Sequence, residues 1–202
     1  MKALPVVAIA LASATAHADG VYFQQMFGIG NAETPLIGKT IQTRAGVGAR
    51  VDSLAIEAWV ASDSAPKRDG ALLGLVGGEP AMGTDLASYG VALRTIVPIH
   101  RSEKVTFEGY TRMSAGLVES TGRLDGFAGN VLGVGGGFQV RGRVRALGFA
   151  WAPLFFVKRG PKVTGALFVD YGYDRMTLAR ADRELVTRTN HLVMGFAIGS
   201  AF

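Results

Sequence analysis

The sequence predicts an all-β fold, a transmembrane antiparallel up-and-down barrel of eight strands, and three observations carry that expectation. Apolar residues make up 49% of the 202 residues, yet beyond the N-terminal segment they never run long enough for a membrane helix, which needs about 20 in succession. They fall instead at alternate positions, the period of a strand. The chain also has 28 glycines and no cysteine, which suits many short strands with no disulfide framework and no thiolate metal site. Its last stretch, Thr189 to Phe202, puts Leu192, Met194, Phe196, Ile198 and Phe202 on one face, with Ser200 the exception, and Val193, Gly195, Ala197, Gly199 and Ala201 on the other. An oily face opposed to a small one, rather than to a polar one, fits a narrow membrane barrel.

Met1 to Ala18 has the layout of a secretory signal: Lys2, an apolar run from Ala3 to Ala12, and Ala16-His17-Ala18 as an A-x-A cleavage site. Cleavage after Ala18 is expected, leaving Asp19 to Phe202 as a single barrel domain. The formal charge of +5 falls by one when Lys2 leaves. That balance would suit nucleic acid or anionic lipid; an exported chain meets a lipid surface first, so outer-membrane lipid is the expected partner and nucleic acid is not.

Along the chain, Val21 to Gly30 reads as the first strand, with Val21, Phe23, Phe27 and Ile29 on one parity. Asn31 to Lys39, with Pro35 and Gly38, reads as a loop. Ile41 to Asp52 alternates cleanly, and Asp52-Ser53 turns into Leu54 to Ser62, where Glu57 and Trp59 point inward. Asp63 to Asp85 is a long loop in which Ala71 to Val76 could form a short strand. Tyr89 to Val97 follows and is ended by Pro98, with Ile99 to Lys104 as a polar turn. Val105 to Leu117 carries Glu108, Tyr110 and Arg112 on its inner face. Val118 to Gly129 reads as a polar loop, Asn130 to Val140 as a glycine-rich strand, and Arg141-Gly142-Arg143 as a turn. Val144 to Val157 alternates at first but is broken by Pro153, so it is either a strand or an interfacial connection anchored by Phe149, Trp151, Phe155 and Phe156. Val163 to Asp174 is a strand, Met176 to Arg188 a polar loop, and the terminal stretch the last strand.

Eight strands put the long connections at one end and the short turns at the other, as outer-membrane barrels do; ten, adding Ala71 to Val76 and Val144 to Ala152, would reverse that asymmetry. A soluble lipocalin-like barrel also alternates, but it would turn the apolar face inward and the charges outward.

A cleavable signal, alternation throughout Asp19 to Phe202 and a terminal strand ending on Phe202 together resemble the small outer-membrane β-barrel proteins of the OmpA/OmpX type. The resemblance implies outer-membrane localisation and a monomer. It also implies recognition of Phe196, Ile198 and Phe202 by the barrel-assembly machinery, with Ser200 a departure from the usual apolar position.

The inward-facing charged residues are Arg44, Arg50, Glu57, Arg94, Glu108, Arg112, Asp170 and Asp174. They could set the selectivity of a small channel. Alternatively they pair with one another in an interior that eight strands leave just wide enough to fill with side chains, and this is the favoured expectation.

Catalysis requires a base beside its nucleophile. The lipid A deacylases carry His-x-Ser on a late strand, and the omptin proteases need paired acids with an Asp-His pair. Here His191 is followed by Leu192 and Val193, His100 lies beside Arg101, and neither has a partner that the sequence identifies. The chain is therefore expected not to be an enzyme, with a lipid A-modifying activity as a remote alternative. No cofactor and no metal are expected: Asp170 and Asp174 stand about 13 Å apart along a strand, and Gly133 to Gly137 lacks the Lys-Ser/Thr of a phosphate loop. A structural or surface-binding role would fall to the loops, where Lys67, Arg68, Arg175, Arg180, Arg183 and Arg188 either meet lipid phosphates or are ordinary solvated charges.

Overall fold

In the computed structural model of the chain, which describes residues 20–34, 37–65, 84–122, 124–143, 163–181 and 183–200, eight strands follow one another in order. They are β1 (Gly20–Ala32), β2 (Lys39–Val51), β3 (Leu54–Ala65), β4 (Thr84–Arg101), β5 (Val105–Gly122), β6 (Ala128–Arg143), β7 (Val163–Arg180) and β8 (Arg183–Ser200). Each pairs antiparallel with the next, and the ring closes where β8 meets β1, from Tyr22 opposite Gly199 to Ala32 opposite Thr189. The wall therefore has no edge strand to protect.

The number eight is fixed by direct pairing at the two doubtful places. β3 lies against β4 and β6 against β7 over their lengths, so no ninth or tenth strand can enter the wall there. Ala71 to Val76 and Val144 to Val157 themselves lie outside the described residues, as do Met1 to Ala18 and Phe202.

Side chains alternate across the wall as the pleat demands, and the sign is inverted relative to a soluble barrel. Every strand contributes at least two large apolar side chains to the exterior, among them Phe23, Phe27, Val60, Val97, Met113, Leu132, Phe138, Val169, Tyr171 and Met194. The opposite parity holds Gln24, Arg44, Glu57, Arg94, Glu108, Arg112 and Asp170, all buried. A lipocalin-like arrangement, with charges outside, is excluded by this parity.

Several strands run further than their apolar alternation indicates. β4 begins at Thr84 and passes through Pro98, where the register shifts between Pro98 and His100. A bulge accommodates a residue that has no N–H to give the ladder. β5 continues to Gly122, β7 to Arg180, and β8 begins at Arg183, so most of what reads as loop at Val118 to Gly129 and at Met176 to Arg188 is strand. Asp63 likewise belongs to β3 and Arg141 to β6, rather than to a loop and a turn.

In these outer extensions the exterior is polar (Asp85, Glu119, Asn130, Arg175, Glu184, Arg188). The interior there holds an apolar cluster beside the buried Asp63, Ser120 and Thr187: Leu86, Val118, Val131, Met176 and Leu178 pack with Ile37 and Leu124, which the β1–β2 and β5–β6 connections bring over the mouth. The short turns at the other end include Asp52-Ser53, as expected, where Asp52 takes a positive φ of 51° that aspartate tolerates.

Candidate functional site: the filled barrel interior

All eight inward-facing charged positions lie inside the ring and are buried, and the registry of the strands sorts seven of them into three groups. In the first, Glu57 on β3 pairs with one guanidinium and accepts two hydrogen bonds. The Arg94 Nε stands 2.9 Å from its Oε1, the Tyr22 hydroxyl donates to Oε1 at 2.6 Å, and the Gln24 amide donates to Oε2 at 2.8 Å. Arg94 also donates to Gln24 Oε1 at 3.0 Å, and its guanidinium lies 4.6 Å from the centre of the Tyr110 ring. A buried charge needs this density of partners to offset its desolvation.

The second group sits toward the short-turn end. Glu108 on β5 receives both terminal nitrogens of Arg50, each at 3.2 Å, the Arg141 Nη2 at 3.0 Å and the Gln139 amide at 2.5 Å. Arg50 is held in line by donating its Nε to the Asp52 carbonyl at 2.7 Å, so the tight turn also positions the ion pair.

The third group joins β5, β7 and β8. Arg112 donates to Asp170 Oδ1 at 3.0 Å, and the same nitrogen lies 3.1 Å from His191 Nε2. His191 Nδ1 is 3.5 Å from Asp174 Oδ2. The imidazole thus stands between the two carboxylates that their spacing along β7 keeps apart. Nε2 facing a guanidinium must accept, so the Nδ1–H tautomer fits, aimed at Asp174. Two glycines make this possible. A Cβ on Gly172 would fall 2.1 Å from His191 Nε2, and one on Gly133 would fall 2.1 Å from Asp174 Oδ1. These inner-face glycines leave room for neighbours' side chains rather than marking turns. Arg44 stands apart, its guanidinium 4.3 Å over the Trp59 ring, a cation–π contact.

His191 is a correction to the sequence reading: it has partners, and they are charged. Asp63 and Arg141 were equally missed. The signal was available in the alternation, because His191, Asp63 and Arg141 continue the inward parity of Val193, Glu57 and Gln139. With Arg44, Arg50, Arg94, Arg112 and Arg141 set against Glu57, Asp63, Glu108, Asp170 and Asp174, arginines and carboxylates inside the ring balance.

Between and below the charged groups, Tyr22, Met26, Ile96, Tyr110, Phe168 and Val193 form a second apolar cluster, while the outer mouth is plugged by the cluster around Leu178. A histidine beside an aspartate is half of a hydrolytic site; His191 is 2% exposed, and its charged partners among the described residues are a guanidinium and two carboxylates. Nor does any group of three or more histidine, aspartate or glutamate side chains among the described residues stand where it could hold a metal ion.

On β8, Phe196 and Ile198 face outward, half-buried, and the Val21 N–H donates to the Ser200 hydroxyl at 3.4 Å, so the departure at Ser200 is used at the closing seam.

No family model matches the chain, and no curated protein matches it. Among solved structures it is similar to Neisserial surface protein A, with 17% identity over 88% of this chain and 96% of the other at a TM-score of 0.48. It is also similar to Ail, the attachment invasion locus protein of Yersinia pestis (10% identity, 89% and 97% covered, TM-score 0.41). A third is the outer membrane protein OprG from Pseudomonas aeruginosa (10% identity, 91% and 97% covered, TM-score 0.41). The class of this chain, a closed eight-stranded up-and-down barrel with an apolar exterior, follows from its own strand pairing and parity.

Proposed function

We propose that the chain is an integral outer-membrane barrel, a monomer whose interior is a structural filling rather than a conduit and whose activity is structural or surface-binding at the outer rim. The observation that carries this reading is the apolar belt around the whole ring. Monomeric soluble proteins rarely expose continuous apolar patches beyond a few hundred Å², whereas here large apolar side chains on all eight strands are about half exposed or more. At on the order of 1 kcal/mol for each half-exposed side chain, leaving the belt in water would forfeit more than the 5–15 kcal/mol net stability typical of a domain. Hydrocarbon removes that cost. The open groove on the exterior among Leu93, Met113, Ala115, Leu132 and Val134 is almost wholly apolar, as a lipid-facing surface should be.

Removal of Met1 to Ala18 on export, and assembly through Phe196, Ile198 and Phe202, belong to the same reading. The direct test is fractionation with heat-modifiable gel migration. A product that co-purifies with the outer membrane and migrates faster unheated than boiled supports it, and a soluble periplasmic product refutes it. The filled interior further implies planar-bilayer recordings no different from the empty bilayer; steady single-channel steps would overturn the structural role of the charge groups.

A further inference from the structure

On the exterior of the outer extensions, Arg175 of β7 and Arg188 of β8 stand directly opposite each other across the ladder, both exposed. Like charges in directly opposed positions repel, and neither guanidinium makes an ion pair or hydrogen bond among the described residues. Their neighbours do not compensate. On the β6 side Arg175 faces Leu132. On the β1 side the Glu33 N–H bonds the Arg188 carbonyl, but the Glu33 side chain forms no ion pair with it. By contrast, Arg180 higher on the same hairpin is satisfied by the Asp125 carbonyl at 2.6 Å.

Their height matters as much as their charge. One outward position below the pair lie Tyr173 and Asn190, and the next is Tyr171 with Leu192, the top of the apolar belt. Four residues separate the pair from Tyr171 and Leu192, about 13 Å along a strand and roughly 10 Å along the axis of a barrel whose strands tilt about 40°. The headgroup layer of a bilayer is about 5–7 Å deep on each side, so the two backbones stand just above it and the long arginine side chains can snorkel down to its phosphates, above tyrosines of the kind that sit at that boundary.

We propose that Arg175 and Arg188 form a two-armed clamp for a phosphate group on a lipid of the outer leaflet, an inference that rests on the membrane reading above. A phosphate between them turns the repulsion into two charge-assisted contacts, each able to be bidentate.

The test uses the full barrel in phosphatidylcholine nanodiscs, with bis-phosphorylated lipid A or its dephosphorylated form added and retention read by native mass spectrometry. The unsubstituted protein should retain the phosphorylated lipid roughly thirtyfold better, the scale of two arginines near an anionic surface. The R175Q/R188Q variant should retain the two forms alike. The unfolding midpoint gives an independent sign. In zwitterionic phosphatidylcholine alone the variant should unfold at the same or a higher midpoint, because repulsion is relieved, and with bis-phosphorylated lipid A added at a lower one. Equal retention by both proteins, or a midpoint shift of one sign in both lipids, overturns the clamp and leaves the membrane reading standing. A chain that enters no nanodisc and shows no heat-modifiable migration overturns both.

Discussion

The wall within the apolar belt and the wall above it are made of the same eight strands, yet their faces are reversed. In the belt, Val169 and Tyr171 point outward and Asp170 inward; a few residues further along the same strand, Arg175 and Thr177 point outward and Met176 and Leu178 inward. The lower section turns charge toward itself and oil toward its surroundings, and the upper section turns polar side chains outward around an apolar cluster that shares its interior with Asp63, Ser120 and Thr187. The backbone is continuous through the change; on the membrane reading proposed above, the difference lies in the medium each section faces, and a strand that leaves hydrocarbon for water keeps its pleat and exchanges its faces.

Mutations that test each section separately sharpen this comparison. The largest effect is expected at Glu57→Gln, which leaves the buried Arg94 without its counter-charge; loss of about 3–5 kcal/mol is expected, read from urea unfolding in lipid or detergent. An unchanged midpoint would mean that water reaches Arg94. In the upper section Leu178→Ala should cost about 2–5 kcal/mol as a core truncation. A cost near zero would show that the outer plug is not a packed core.

Val169→Arg, near the middle of the belt, should cost about 2–4 kcal/mol in a bilayer. Thr177→Arg, on the same face of the same strand but above the belt, should change stability by no more than about 0.5 kcal/mol. The last two form the sharpest contrast, since equal costs at positions 169 and 177 would erase the boundary between the sections.

The same boundary explains what could be read in the sequence. Within the belt the alternation of large apolar with charged or small residues is strong, so the inward placement of Arg44, Glu57, Arg94, Glu108, Arg112 and Asp170 follows from parity alone. Above it the pattern changes sign within a single strand. Val118 and Met176 then sit among polar neighbours such as Glu119 and Arg175, and the segment resembles a loop. Pro98 looked like a terminator because a bulge cannot be anticipated from one strand.

Partner choice was further from reach. That Arg112 meets His191, 79 residues away, depends on the registers of β5 against β6, β6 against β7 and β7 against β8 together. His191 was legible as an inward residue, but not as the group that stands between Asp170 and Asp174.

The closure of β8 on β1 also bears on how such a chain comes to exist. The seam joins Tyr22 to Gly199, the two ends of the described chain, so the final ladder cannot form until nearly all of the polypeptide is present. A chain halted before Arg183 would carry two open borders, along β1 and β7, and in hydrocarbon each unpaired backbone N–H or C=O costs several kcal/mol. On the membrane reading proposed above, an inserted intermediate with seven strands would therefore be unstable, and insertion and closure would become a single event.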